Sequence, residues 1–261
     1  MIDSSAVRAR GRVPPAVVGG IALAWALALV VQLSGRGHTL HHDWLISGGL
    51  PLGLGVLVFL VAWQAHLAAM MLPSSLPMIA LFGQAAANQP SPGRARAAFL
   101  GGYAAVWTGF GAAAFAGDVG LHRLVHESPW LGERRWLIAG TVLLIAGVFQ
   151  FSDAKDRCLQ QCRHPAAFLL RHYERGVGGA FRMGRKHAAF CLGCCWALML
   201  LMFAVGVANL AWMAPLAVVM YLEKTSARGA EIVRAVGVAL IVGAVVVFAH
   251  PSWLPSTLGG G

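Results

Sequence analysis

FCLGCCWALMLLMFAVGVANLAWMAPLAVVMYL, running from Phe190 to Leu222, contains no Asp, Glu, Lys or Arg. A helix needs roughly 17–25 apolar residues to cross a bilayer, so this run exceeds a single crossing. Further runs of similar character lie outward from it: Ala16–Leu33, Gly48–Leu72, Ala97–Gly117, Trp136–Phe151 and Ala230–Ala249. Trp136–Phe151 is the shortest. Hydrophobic residues make up 58% of the chain and charged residues 11%, against about 45–50% and about 25% in soluble domains. The pattern predicts an all-α, polytopic helical membrane protein of about six transmembrane helices, with residues 1–261 forming one bundle. Arg8–Arg12 before an apolar run containing Ala26-Leu27-Ala28 also fits a cleaved signal, but the run is long enough to span and is counted as the first helix.

The net charge of +10 does not point to nucleic acid. Lys and Arg sit in short segments beside the spans, and no basic patch interleaved with aromatics occurs in a soluble domain. Membrane orientation accounts for them better. With a cytoplasmic N-terminus, the cytoplasmic side receives Arg8, Arg10, Arg12, Arg94, Arg96 and the basic run from Lys155 to Lys186. Arg36, Arg123, Arg134, Arg135, Lys224, Arg228 and Arg234 fall on the other side. Six crossings then return the C-terminus to the cytoplasm. The expectation is a multi-pass protein of the bacterial inner membrane, with the bilayer as a partner. Residues 152–189 are expected to form a basic cytoplasmic loop, too short and too basic for a core of its own.

All five cysteines lie between Cys158 and Cys195, where that segment meets the long apolar run. They read Cys158-x3-Cys162, then His187-x3-Cys191-x2-Cys194-Cys195. On a helix, His187, Cys191 and Cys194 or Cys195 share a face, and Cys158 and Cys162 lie one turn apart. Thiolates and imidazole together suit soft metals. In a reducing cytosol such spacing points to metal ligation or redox chemistry more often than to structural disulfides. The nearby cations Lys155, Arg157, Arg185 and Lys186 favour thiolate. The plain alternative is that these thiols pack a helix end as small apolar groups. Gly176, Gly178, Gly179 and Gly184 offer a flexible return that would bring the two cysteine groups into one site.

Met70, Met71 and Met78 flank the Pro73 break, and Met199, Met202, Met213 and Met220 run along the long apolar stretch. Thioethers favour Cu(I) over zinc, although methionine is also an ordinary gap-filler. His66, one turn before Met70, is an ionisable residue inside a span and so a candidate site in its own right. His38, His41, His42, His122 and His126 lie in or near loops and read more readily as solvated interface residues. No Gly-x-Ser-x-Gly elbow, Walker loop, HExxH or convincing carboxylate pair occurs, so no catalytic residue and no enzymatic activity is expected.

Several motifs together resemble the predicted metal-binding integral membrane protein family, a domain of unknown function also labelled copper chelator or copper chaperone. They are Ala69-Met70-Met71-Leu72-Pro73-Ser74; Lys155-x2-Cys158-Leu159-x2-Cys162-Arg163-x-Pro165; Gly176-x-Gly178-Gly179-Ala180; His187-x3-Cys191-x-Gly193-Cys194-Cys195-Trp196; Asn209-x2-Trp212-Met213; and Glu223-Lys224. The family often carries methionine at position 66, where this chain has a histidine that preserves a ligand. The resemblance implies metal binding. Together with the residues it leads to an expected Cu(I) site of Cys158, Cys162, His187, Cys191, Cys194 and Cys195, with His66, Met70 and Met71 as a second group. Zinc is the alternative metal. The expected role is copper chelation, delivery or resistance, with a cuproenzyme or copper carrier as partner. Two rivals remain at this point: a membrane thiol–disulfide oxidoreductase, and a structural subunit of a membrane complex.

Overall fold

The computed structural model describes residues 13–34, 51–205 and 209–253. Among the described residues there is no strand. In chain order the helices are α1 (Pro15–Leu33), α2 (Leu52–Met70), α3 (Leu72–Ala85), α4 (Pro92–Glu127), the short α5 (Pro129–Gly132), α6 (Arg135–Phe149), α7 (Asp153–Arg163), α8 (Pro165–His172), α9 (Gly176–Val205), α10 (Leu210–Thr225) and α11 (Gly229–Ala249). Among the described residues, five helices are long and apolar enough to cross a membrane, or six if α6 and α7, bent by 64° at their junction, count as one broken span. The chain is a multi-pass membrane protein. Large apolar side chains such as Leu23, Val61, Val148 and Val245 face outward, as lipid contact requires.

Glycines set the tightest contact. On α4, Gly102 has no room for a methyl group against the Phe181 carbonyl of α9, and on α9, Gly184 has none against the Phe99 carbonyl of α4. Small residues let membrane helices approach this closely, so van der Waals packing can hold them without a hydrophobic driving force. These contacts, with Tyr103 beside His187, make α4 and α9 run parallel. Gly140 against the Phe248 ring and Gly147 against Ile241 make α6 and α11 antiparallel. On the other flank, α1 holds to α2 through Trp25 Nε1, which donates to the Ala69 carbonyl at 3.1 Å.

Leu72–Pro73 opens α3 directly after α2, with Met71 as the only break and Pro77 inside the new helix. The apolar stretch thus continues past Pro73 as a helix, proline being tolerated in a first turn where no backbone donor is needed. Residues 152–189, expected as a loop, are instead helical: α7, α8 and the first turns of α9. Ser152 caps α7, its hydroxyl accepting from the Lys155 backbone N–H at 3.1 Å, and Asp153 and Asp156 occupy the first turn. Among the four glycines expected to reverse the chain, only Gly176 has a positive φ, at 83°. Gly178, Gly179 and Gly184 lie within α9, and α8 makes the return.

The run Phe190–Leu222 is not one span. α9 ends at Val205, and the Asn209 side chain caps α10 by accepting from the Ala211 N–H at 3.2 Å. α10 then runs back along α9, and Lys224 returns to the level of Cys191. Two expectations change with this. Lys224, Arg228 and Arg234 lie at the same end as the thiols rather than opposite them. The first turn of α1 also lies at that end, where Val17 shares a cluster with Phe82, Phe99 and Phe168. The last turn of α11, by contrast, reaches the opposite end, with Phe248 beside Trp136. The two termini of the bundle therefore face opposite ways.

Candidate metal centre

Four thiols gather where α7, α9 and α10 meet. Cys191, Cys194 and Cys195 follow one another on α9 and are at most 1% exposed. From α7, the Cys162 sulfur comes within 4.0 Å of Cys194 Sγ, and Cys194 Sγ lies 3.4 Å from Cys195 Sγ. Two metal–sulfur bonds of about 2.3 Å each reach across at most about 4.6 Å. A 4.0 Å separation is thus compatible with one ion between Cys162 and Cys194. The fifth thiol sits to the side: Cys158 packs over Gly193, where a Cβ would come 2.5 Å from its sulfur. Gly193 is the residue that lets α7 lie this close to the cysteine turn.

His187 is one turn before Cys191 and 3% exposed. Its ring is flanked by Phe99, Tyr103 and Phe168, with centroids 6.1, 5.7 and 5.6 Å away. Its Nε2 is buried without a hydrogen-bond partner. His66 repeats this situation on α2: it stacks on Trp63 at 5.6 Å and its buried Nε2 also lacks a partner. Buried polar atoms are normally satisfied, so each exception needs a reason. Met70 and Met71 are fully buried in the same core cluster as Cys191, Cys194 and Cys195. Met199, Met202, Met213 and Met220 line that cluster too. Their convergence comes from the α9–α10 hairpin and would not arise on a single long span.

Around the thiols lies a buried polar network. Lys155 Nζ donates to Glu223 Oε2 at 2.7 Å and to the Cys194 carbonyl at 3.0 Å. Gln150 Nε2 donates to the other oxygen of Glu223, and Arg163 Nε to its backbone carbonyl. Lys224 Nζ donates to Ser74 Oγ and to Cys191 Sγ, both at 3.1 Å. The Tyr103 hydroxyl lies 3.0 Å from the same sulfur and 3.2 Å from Ser75 Oγ. The cation hydrogen-bonded to a buried thiol is therefore Lys224, whereas Lys155, expected beside the thiols from sequence, is taken up by Glu223.

Among the described residues, no three His, Cys, Asp or Glu side chains stand arranged as a metal cage. Local bonding accounts for this. Cys191 Sγ is held by Lys224 and Tyr103, and the Cys194 thiol donates to the Cys191 carbonyl at 3.1 Å. The donor chemistry is soft, and the sulfurs are engaged with neighbouring groups rather than turned to a common point. Of the outer histidines, His122 Nδ1 lies 3.0 Å from the Asp118 carbonyl one turn back on its own helix, while His38, His41 and His42 lie outside the described residues.

A family model described as copper chaperone, PpoB2, matches residues 60–247. The chain belongs to this copper chaperone family. The matched region holds every helix that contributes to the thiol cluster and its polar network, and leaves out α1. No curated protein and no solved structure matches the chain. Ser74, Tyr103, Glu223 and Lys224 were not picked out as site residues from sequence. A signal was nonetheless present for three of them, since Ser74 and Glu223-Lys224 sit inside the motifs that carry the family resemblance.

Proposed function

We propose that this protein handles copper at the cytoplasmic face of a bacterial inner membrane, binding Cu(I) through Cys162, Cys191, Cys194 and Cys195. His187 and Cys158 lie at the edge of that site, and His66, Met70 and Met71 form a second soft group deeper in the bundle. The observation that carries the reading is the approach of Cys162 to Cys194 at 4.0 Å, across two helices, in a chain of a copper chaperone family. Its role is to hold cuprous ion and pass it to a cuproenzyme or copper carrier, or to keep it from doing harm. No catalytic activity is part of the proposal. The basic thiol end faces the cytoplasm, with the start of α1 on the same side. Moving Lys224, Arg228 and Arg234 to that end strengthens this orientation, because the far end keeps only Arg123, Arg134 and Arg135 among the described cations.

Competition titration of the detergent-solubilised protein with a cuprous chelator tests the reading, alongside a Cys191→Ser/Cys194→Ser variant. Tight binding that the double variant loses is expected. Equal affinity in both would remove the thiol site. The same 4.0 Å approach also favours a second reading, a thiol–disulfide exchanger closing Cys162 to Cys194. Quantitative thiol counting after mild oxidation separates the two, since a reversible loss of two thiols with no metal binding would support the exchanger.

A further inference from the structure

Lys224 is the only cation, among the described residues, whose head group donates to a cysteine sulfur. It is 5% exposed, and Cys191 is fully buried. A buried ammonium needs an anion close by. Its neighbour Glu223 does not serve, because both carboxylate oxygens are engaged by Lys155 and Gln150. Ser74 and Tyr103 are neutral and complete the surroundings of the ammonium and the sulfur. The sulfur of Cys191, 3.1 Å from Nζ, is the remaining partner that can carry negative charge against Lys224.

Resting on the copper-binding reading above, we propose that Lys224 is the counter-charge that fits this site to a univalent soft cation. Cu(I) held by two of the four sulfurs as thiolates, Cys191 among them, forms a centre of charge −1, which one ammonium neutralises. A divalent ion on the same two thiolates is already neutral and leaves Lys224 as an uncompensated buried charge. Removing that ammonium shifts the preference towards the divalent ion. Lys155 cannot substitute, since Glu223 already matches it. Lys224 is thus a specificity-determining residue that never ligates the metal.

The test compares Cu(I), Ag(I) and Zn(II) affinities of the purified full chain by chelator competition, for wild type, Lys224→Met and Lys224→Arg. Lys224→Met is expected to weaken Cu(I) and Ag(I) by about 10- to 100-fold, the usual effect of losing a group that supports a metal ligand. Zn(II) is expected to hold or gain, and Lys224→Arg to retain the univalent preference. An unchanged Cu(I)-to-Zn(II) ratio in Lys224→Met would overturn the inference while leaving the copper site intact. Wild-type protein that binds no Cu(I) would overturn both. A second arm does not depend on Lys224→Met folding: metal-free Cys191→Ser should melt well below Cys195→Ser, because only the former strands the ammonium. Equal melting temperatures would refute the pairing.

Discussion

Lys155 and Glu223 form a 2.7 Å ion pair in which each side chain is 1% exposed, joining α7 to the end of α10 beneath the cysteine turn. It fixes the position from which Cys162 approaches Cys194. Breaking such a pair by removing one partner typically costs about 3–5 kcal/mol, because it leaves a bare buried charge. Lys155→Met should therefore lower the melting temperature in detergent steeply. Lys155→Met/Glu223→Met should recover much of the loss. A double variant no more stable than the single would mean that the network acts through shape rather than charge.

The parallel contact of α4 and α9 makes a second prediction. Gly184→Ala would drive a methyl into the Phe99 carbonyl, and overpacking of this kind costs about 1–3 kcal/mol. Gly101 is one residue from the contact, and a methyl added there would meet nothing within 4 Å. An exposed change of that kind should stay within about 0.5 kcal/mol. Thermal unfolding of the two alanine variants should separate clearly. Similar curves would show that the helices can move apart freely.

Most of the fold was legible because a bilayer imposes a length rule that composition reveals directly. The failure at Phe190–Leu222 shows where that rule stops. Hydropathy measures how apolar a run is, and Gly206 to Asn209 scarcely interrupts it, so two antiparallel helices read as one. The corrective signal was Asn209, a preferred helix-capping residue placed before a fresh apolar helix. For the site, helical spacing aligned Cys191 with His187 and Cys195 correctly. Spacing could not tell that Cys158 would fall against Gly193 while Cys162 reached Cys194, since that depends on where α7 meets α9. Lys224 was hidden by the same hairpin, which moved it from the far side to the thiols.

That hairpin can be tested by topology. Fusions of a reporter before α1 and after α11 should report opposite sides of the membrane, since α1 starts at the thiol end and α11 finishes away from it. A membrane-impermeant thiol reagent applied to intact cells should leave the partly exposed Cys158 unlabelled, and lysis should expose it. Both fusions on one side would restore the single long span.

The two α7 cysteines should differ in their effect on metal. Cys162→Ser removes the sulfur 4.0 Å from Cys194 Sγ, and the loss of a ligand should weaken Cu(I) by more than the roughly tenfold seen for supporting groups. Cys158→Ser alters only the contact with Gly193 and should leave Cu(I) affinity nearly unchanged. Chelator competition reads both. Equal losses would show that α7 moves on loading to bring Cys158 in.

His66 gives the sharpest separation of binding from stability. Its buried Nε2 has no partner, and an unsatisfied buried polar atom costs about 1–3 kcal/mol. If that cost is retained for metal binding, His66→Leu should raise the melting temperature of the metal-free protein while lowering its Cu(I) capacity or affinity. His66→Met, which supplies a thioether in place of the imidazole, should also stabilise but should keep the copper. Paired melting and cuprous titration of the three proteins would decide. A leucine variant that is stabler and binds copper as well as wild type would make His66 a packing residue, and would confine the metal to the thiols of α7 and α9.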